Sequence, residues 1–358
     1  MTTAEGAGCR PAVRQGLPAD WDELVGHTSP TARYRWFSLI GTRLPGPALV
    51  FRHGGGRPAV LCGTLLTAPP RNRRIDPYAV FAGAAAGDGL NEAGPHPWRG
   101  APVGERFPCL FFMLPNYEFF PVGPGADDRG TLRGLVTAVR EWCADNGVRS
   151  IAFLYLSPEA NALAEVLDES GFAVIPLTTR CELPVTWEDS SGYLHALDKK
   201  RRGAARREMR ELAARGVVTR ERPLDGCLDR LVQLRCGVVA KYGGRPDVER
   251  ERALLLRVRS LFPPEDLTVV VAEAEGEILG FTLMVRDGHL WTAFMTGTDY
   301  STDRARLTYF ATAYYRPAEL APGMGIRKIV YGPGSWHAKR LRGCVEVPLG
   351  AAAGDVKW

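Results

Sequence analysis

The chain has 358 residues, with 45 Lys and Arg against 40 Asp and Glu and a formal net charge of +5. That length exceeds one ordinary hydrophobic core and points to two domains, while 45% apolar and 24% charged residues are the proportions of a globular protein. No apolar run approaches the roughly 20 residues of a bilayer span, and the mild positive charge permits a polyanionic partner without requiring one.

The opening MTTAEGAGCRPAV lacks a basic segment followed by an apolar one, so no secretory leader is expected. The eight cysteines (Cys9, Cys62, Cys109, Cys143, Cys181, Cys227, Cys236 and Cys344) are scattered, with no C-x-x-C pair. This argues against a metal site and against a disulfide framework. A reducing cytoplasm and no membrane partner are the expectations.

Gly, Pro and Ala dominate the first 30 residues, with one short helix near 20–25. ALVFR and AVLCGTLLT read as two strands joined by the glycine turn HGGGRP. Residues 69–106 carry Asn, Gly, Pro and Arg without periodicity, and a loop this long is functional or mobile. Within it Asp76 and Tyr78 stand in a dense polar group as candidate ligand-pocket residues, against the reading of a solvated loop. CLFFMLPNYEFFPVG is strand material broken by Pro115. TLRGLVTAVREWCADN has helical apolar spacing, with Thr131 as the expected cap. SIAFLYL is a buried strand, SPEANALAEVLDESGF a helix capped by Ser157, and AVIPLTTRCELPV a strand.

The most basic stretch follows. From Lys199 to Arg222 there are ten Lys and Arg against three Glu. Over 195–216 it reads as a helix ending at Gly216. Cations near a helix start oppose the dipole, so nucleic-acid phosphate or a protein carboxylate should compensate Lys199, Arg202 and Arg206. A helical pair occupies 224–259, interrupted by KYGGR. Three strands then turn at Glu275-Gly276 and Asp287-Gly288, both hairpin signals. An aromatic helix, LTYFATAYYRPAEL, and the strand GIRKIVYG lead into YGPGSWHAKRLRGCV. There Gly332 and Gly334 permit a sharp turn, and Ser335 is the expected cap of a helix carrying Trp336, His337, Lys339, Arg340 and Arg342.

Two successive units thus share a layout of antiparallel strands, helix, strand, helix and strand. Over about 30–350 this resembles the tandem fold of the GNAT superfamily and, more narrowly, the Fem-type (FemXAB-like) aminoacyl-tRNA-dependent transferases. The resemblance rests on HALDKKRRGAARREMRELAARGV, on the run from LWTAFMTG to IVYGPG, and on Lys339 with Gly343 four residues on. It implies an α+β or α/β fold: GNAT-like domains over 30–185 and 190–350, each a mixed, mostly antiparallel sheet flanked by helices. The sequence departs from ordinary GNAT enzymes at the acetyl-CoA pyrophosphate loop, R-x-x-G-x-G/A. GPGADDRGTLRG has Arg129, Gly130 and Gly134 at other spacings, and STDRARL has no glycine. The helical arm of cell-wall Fem enzymes has no counterpart, which sets a peptidoglycan substrate aside.

The implied activity is amide-bond formation between an aminoacyl group carried on tRNA and an amine of a small molecule or peptide, with no other cofactor. The Ala-, Gly- and Arg-rich composition suits a high-GC source, and with it specialised-metabolite assembly. Such chemistry needs a neutral amine, a stabilised oxyanion and a proton for the leaving group. Lys339 is the candidate for oxyanion stabilisation. His337 and Asp299 are candidates for the base. Tyr300, Tyr331 and Trp336 join Asp76 and Tyr78 as candidate substrate contacts. Lys199, Lys200, Arg201, Arg202, Arg206 and Arg207 are candidates for tRNA phosphate. An acetyl-CoA-dependent N-acyltransferase and a non-catalytic RNA-binding module are the alternatives.

Overall fold

The computed structural model describes residues 12–40, 46–92 and 94–356. The chain forms two compact units: residues 1–179 with 347–358, and residues 180–346.

Unit 1 contains β1 (Ala12–Gln15), α1 (Trp21–Val25), α2 (Tyr34–Ile40), β2 (Leu49–His53), β3 (Ala59–Leu66), α3 (Pro77–Phe81), β4 (Cys109–Phe112), α4 (Arg129–Asp145), β5 (Ser150–Leu156), α5 (Asn161–Glu169) and the first half of β6 (Ala173–Pro184). Unit 2 takes the rest of β6. It continues with α6 (Ser190–Ala196), α7 (Lys199–Ala214), β7 (Val218–Arg222), α8 (Leu228–Lys241), α9 (Val248–Leu261), β8 (Leu267–Ala274), β9 (Glu277–Asp287) and β10 (Leu290–Thr298). A helical run then joins α10 (Thr308–Phe310), a π-turn (Ala311–Tyr315) and α11 (Arg316–Leu320), followed by β11 (Lys328–Pro333) and α12 (Trp336–Arg340). The last strand, β12 (Val345–Asp355), lies mostly in unit 1.

In unit 1 the strands β1 to β4 are successive antiparallel neighbours, β4 and β5 are parallel, and β12 runs antiparallel to β5. Helix α4 makes the crossover between the parallel pair. Leu132, Leu135, Val136, Val139 and Cys143 repeat at helical spacing and are buried. Its cap is Asp128, whose carboxylate accepts from the Thr131 amide, and not Thr131 itself. Ser157, also expected as a cap, makes no capping bond; its hydroxyl donates to the Phe119 carbonyl. Every residue of β5 is buried, as its uninterrupted apolar run requires. Residues 69–106 are not a structureless loop. Ile75, Val80, Phe81, Leu90 and Trp98 pack with Phe107, Phe111 and Leu154 into a core of their own.

In unit 2 the strand order is β6-β11-β10-β9-β8-β7, antiparallel except for β10 beside β11. Gly276 and Gly288 take φ of +85° and +57° at the two hairpin turns, the left-handed backbone that such turns demand. Helix α12 is only five residues long, so Arg342 falls beyond it. Ser335 adopts φ +48° and makes no capping bond, which corrects its expected role.

Candidate active site

Strands β10 and β11 pair only from Leu290–Lys328 to Thr292–Val330. Beyond that point the pairing stops, and a cavity of about 680 Å³ lies against the carboxyl end of β10. Thr296 and Thr298 of β10 line it, with Val238, Lys241 and Tyr242 from the end of α8, Asp299 to Asp303 and Ala305 to Leu307 from the loop after β10, Tyr309 and Phe310 from the following helix, and Ser335. Two lining residues, Leu307 at φ +71° and Ser335 at φ +48°, hold left-handed backbone without being glycine. Such conformations cost on the order of 1–3 kcal/mol each and gather at functional sites. The π-turn begins one residue after Phe310, another irregularity that concentrates at such sites.

Asp299 organises the loop after β10. One carboxylate oxygen accepts from the Ser301 amide at 3.0 Å and from its hydroxyl at 2.5 Å, and the other pairs with Arg230 at 2.7 Å. The Ser301 hydroxyl, followed by Arg230, holds this carboxyl below the usual range. A carboxylate so depressed and so occupied is a weak proton acceptor, so its expected role as general base gives way to a role in shaping the loop.

Lys339 is buried. The residues Tyr331 and Gly332 fall in a register shift between Val330 and Pro333, where β11 loses step with β6. The Lys339 ammonium donates to both of their carbonyls, each at 2.9 Å. The lysine therefore secures the end of β11 and fixes a positive charge where the two strands part. Arg342, also buried, is bonded by both oxygens of Glu208 at 2.8 Å and stands 3.5 Å from the centre of the Phe310 ring. Glu208 accepts a further bond from Tyr315, and Tyr193 donates to the Arg342 carbonyl. This Glu208–Arg342 cluster connects α7 to the wall of the cavity. The sequence signal for it, a glutamate within a cationic helix, was present but without its partner.

The remaining candidates divide. Tyr300 lines the cavity and is exposed. Tyr331 is core and not a substrate contact: its hydroxyl donates to the Ala313 carbonyl, its ring stacks on Tyr314 at 4.5 Å, and burial pushes its phenol well up. Trp336 and His337 are exposed on α12 with their rings edge to face, Arg340 lying 5.2 Å over the indole. Asp76 and Tyr78 belong to unit 1. Asp76 caps α3 through the Tyr78 amide at 2.9 Å, and the Tyr78 hydroxyl donates to the Ala101 carbonyl at 2.7 Å. Burial raises the Asp76 carboxyl, against which these amide bonds act. The pair pins the 69–106 segment and does not line the cavity of unit 2.

Helix α7 sorts its charges by face. Ala205 and Leu212 are buried and Glu208 lies beside them, while Glu211, its side chain 33% exposed, pairs with Arg215 at 2.8 Å. Asp198 supplies the anionic compensation at the helix start: it caps the Arg201 amide and pairs with the Arg201 guanidinium at 2.9 Å. At about 100° per residue, Lys199, Arg202, Arg206 and Arg210 gather on the side away from Glu208 and Leu212, and Lys200 and Arg207 lie on the flank that also carries Glu211. None of these six has an ion-pair partner among the described residues. Arg215 donates to the Asp303 carbonyl at 2.6 Å, and Arg306 lies 3.9 Å from Glu211, so the helix is joined to the loop that lines the cavity. Lys241 and Tyr242, at the cavity mouth, escaped the sequence reading because KYGGR registers there only as a helix stop.

Residues 199–340 match the family described as Acetyltransferase (GNAT) domain. Among solved structures the chain is similar to FemX, at 10% identity and TM-score 0.56, covering 95% of this chain and 96% of that one. It is also similar to a conserved protein of unknown function from Bacteroides thetaiotaomicron, at 15% identity and TM-score 0.54, covering 95% and 97%. No curated protein matches the chain in sequence. The two units have a tandem, Fem-like GNAT fold. Among the described residues no helix is long and apolar enough to cross a membrane.

Proposed function

For a GNAT-fold acyltransferase whose open cavity adjoins a strongly cationic helix, we propose aminoacyl-tRNA-dependent amide-bond formation on a small-molecule or peptide amine. The observation that carries this reading is the outer face of α7. Among the described residues six cations of the helix have no ion-pair partner, while Glu208 is bonded to Arg342 and Glu211 to Arg215. A polyanion lying along that face is attracted without regard to its base sequence. It can lead its acylated end to the cavity.

In the reaction the amine nitrogen forms a bond to the ester carbonyl carbon and the ester C–O bond breaks. The ribose oxygen leaves and takes up a proton, while the amine gives one up. Lys339 holds the β11 end in place, and its fixed charge stabilises the negative charge that develops on the carbonyl oxygen. His337, exposed at the start of α12, accepts the amine proton. Asp299 acts as a positioning residue for the loop.

One observation favours acyl-CoA as the donor instead. Leu307 reproduces, without glycine, a left-handed turn directly before a helix start, and helix starts bind phosphate. The test uses labelled aminoacyl-tRNAs and labelled acetyl-CoA in parallel, with a panel of primary amines and amino acids as acceptors. Label should move from charged tRNA into an amide product and should cease to do so after RNase treatment. Transfer from acetyl-CoA alone, unaffected by RNase, would overturn the reading.

A further inference from the structure

Among the described residues, four large aromatic side chains are exposed: Tyr34, Tyr242, Tyr300 and Trp336. Two of them, Tyr242 and Tyr300, line the same cavity. Both stand on fixed backbone. Tyr242 closes α8, its amide donating to the Val238 carbonyl at 3.2 Å, and the next residue, Gly243, turns left-handed at φ +74°. Tyr300 sits inside the turn that Asp299 makes with Ser301. Yet Tyr242 is 75% exposed and Tyr300 46%. Lys241 lies 4.0 Å from the centre of the Tyr300 ring and 5.9 Å from that of Tyr242. It has no ion-pair partner among the described residues. Rigid, wet aromatic faces beside an unpaired ammonium, at the mouth of a cavity, are the parts of a stacking seat for a nucleotide. Every base has a π-face to stack, and the cation meets the phosphate.

We propose that Tyr242, Tyr300 and Lys241 seat the terminal nucleotide of the acyl donor, with its base stacked on the tyrosines and its phosphate met by the lysine. The assignment rests on the cavity being the donor site. Both candidate donors end in the same chemistry: the 3′ end of tRNA is an adenosine, and coenzyme A carries an adenosine phosphate. The seat is therefore for an adenine nucleotide, whichever molecule brings it. Asp299 and Arg230 enter as the groups that hold Tyr300 in place.

The probes are AMP and, as a base-free control, ribose 5-phosphate, titrated calorimetrically into the full chain. AMP should bind about tenfold more tightly than ribose 5-phosphate. Tyr300→Leu and Tyr242→Leu should each remove most of that advantage, Tyr300→Phe should keep it, and Lys241→Met should weaken both probes alike. Exposed positions tolerate these changes, and unchanged melting temperatures would confirm that the variants are folded. Competition against bound AMP by an RNA minihelix ending in CCA, and separately by acetyl-CoA, names the source. Competition by acetyl-CoA alone would end the tRNA reading and leave the seat standing. Equal binding of AMP and ribose 5-phosphate, leucine variants that bind AMP as the wild type does, or competition by neither donor would each overturn the proposal.

Discussion

In unit 1, β4 and β5 run parallel for four residue pairs, and the chain that leaves β4 then comes back to the sheet. The Phe119 amide donates to the Tyr155 carbonyl at 2.7 Å and its carbonyl accepts from the Ser157 amide at 3.0 Å, so Phe119 occupies the place beside the end of β5. In unit 2, β10 and β11 are parallel for three pairs, and the chain that leaves β10 stays out of the sheet, stapled by Asp299 to Ser301 and Arg230. One crossover ends in aromatic packing and the other in a cavity. The same contrast holds for charge. Arg129 and Arg133 at the start of α4 are paired to Glu165 and Glu169, whereas six cations of α7 have no ion-pair partner among the described residues. The proposed chemistry belongs to the unit in which, among the described residues, the strand ends part and these cations have no ion-pair partner.

Four measurements test that contrast. The largest effect is expected at the plug of unit 1: Phe119 is fully buried, and Phe119→Ala should lower unfolding free energy by about 3–5 kcal/mol. Denaturant titration reads this, and transfer activity per folded molecule should be unchanged, because the plugged crossover does no chemistry. Next comes Lys339→Ala. It strips two buried carbonyls of their donor and should cost about 1–3 kcal/mol of stability. It should also lower turnover by about 10²-fold, with a smaller change in the Michaelis constant. Lys339→Arg should restore little, because a planar guanidinium does not replace a compact ammonium between two carbonyls.

The third measurement replaces Lys199, Lys200, Arg202 and Arg206 together. Affinity for all tRNAs should fall alike, and the salt dependence of binding should flatten by up to about 0.7–0.9 in log–log slope for each phosphate left without its cation. Arg129→Ala with Arg133→Ala is the matched control, because those cations are already paired, and it should leave both quantities alone. The smallest effect is expected for Asp299→Asn, about 1–2 kcal/mol at neutral pH. The folded carboxyl lies below its unfolded value, so its contribution is present above that value and is lost as pH falls through the folded one. The stability gap between wild type and variant should therefore close on acidification below about pH 4.

Much of unit 2 was legible because its signals are local. Glu275-Gly276 and Asp287-Gly288 turn the hairpins, and Gly216 ends α7 at φ +70°. The caps were harder: Asp128 was passed over for Thr131, and Asp198 was not named, an unspecified protein carboxylate standing as one of two possible compensators for the α7 cations. The 69–106 segment looked loop-like because its core residues are spaced by turns and not by a period. Lys339 was found by resemblance, but its partners were not, since they depend on β11 losing register with a strand that lies some 150 residues earlier in the chain. Tyr331 reads identically as a core ring or a substrate contact until Tyr314 is placed against it. Lys241 meets Tyr300 only through the packing of α8 on β10, a contact with no trace in local sequence.

The last strand imposes an order of events on synthesis. Gly350 pairs opposite Leu156, and Asp355 opposite Ser150, so unit 1 lacks one of its strands until the ribosome has made all of unit 2. Unit 2 is one continuous stretch and needs nothing made later. The half of the protein that emerges first is therefore completed last. Until then β5, apolar on both faces, keeps one edge without its native partner. Such an edge is an invitation to wrong pairing, and the interval during which it stays open is set by the translation time of unit 2.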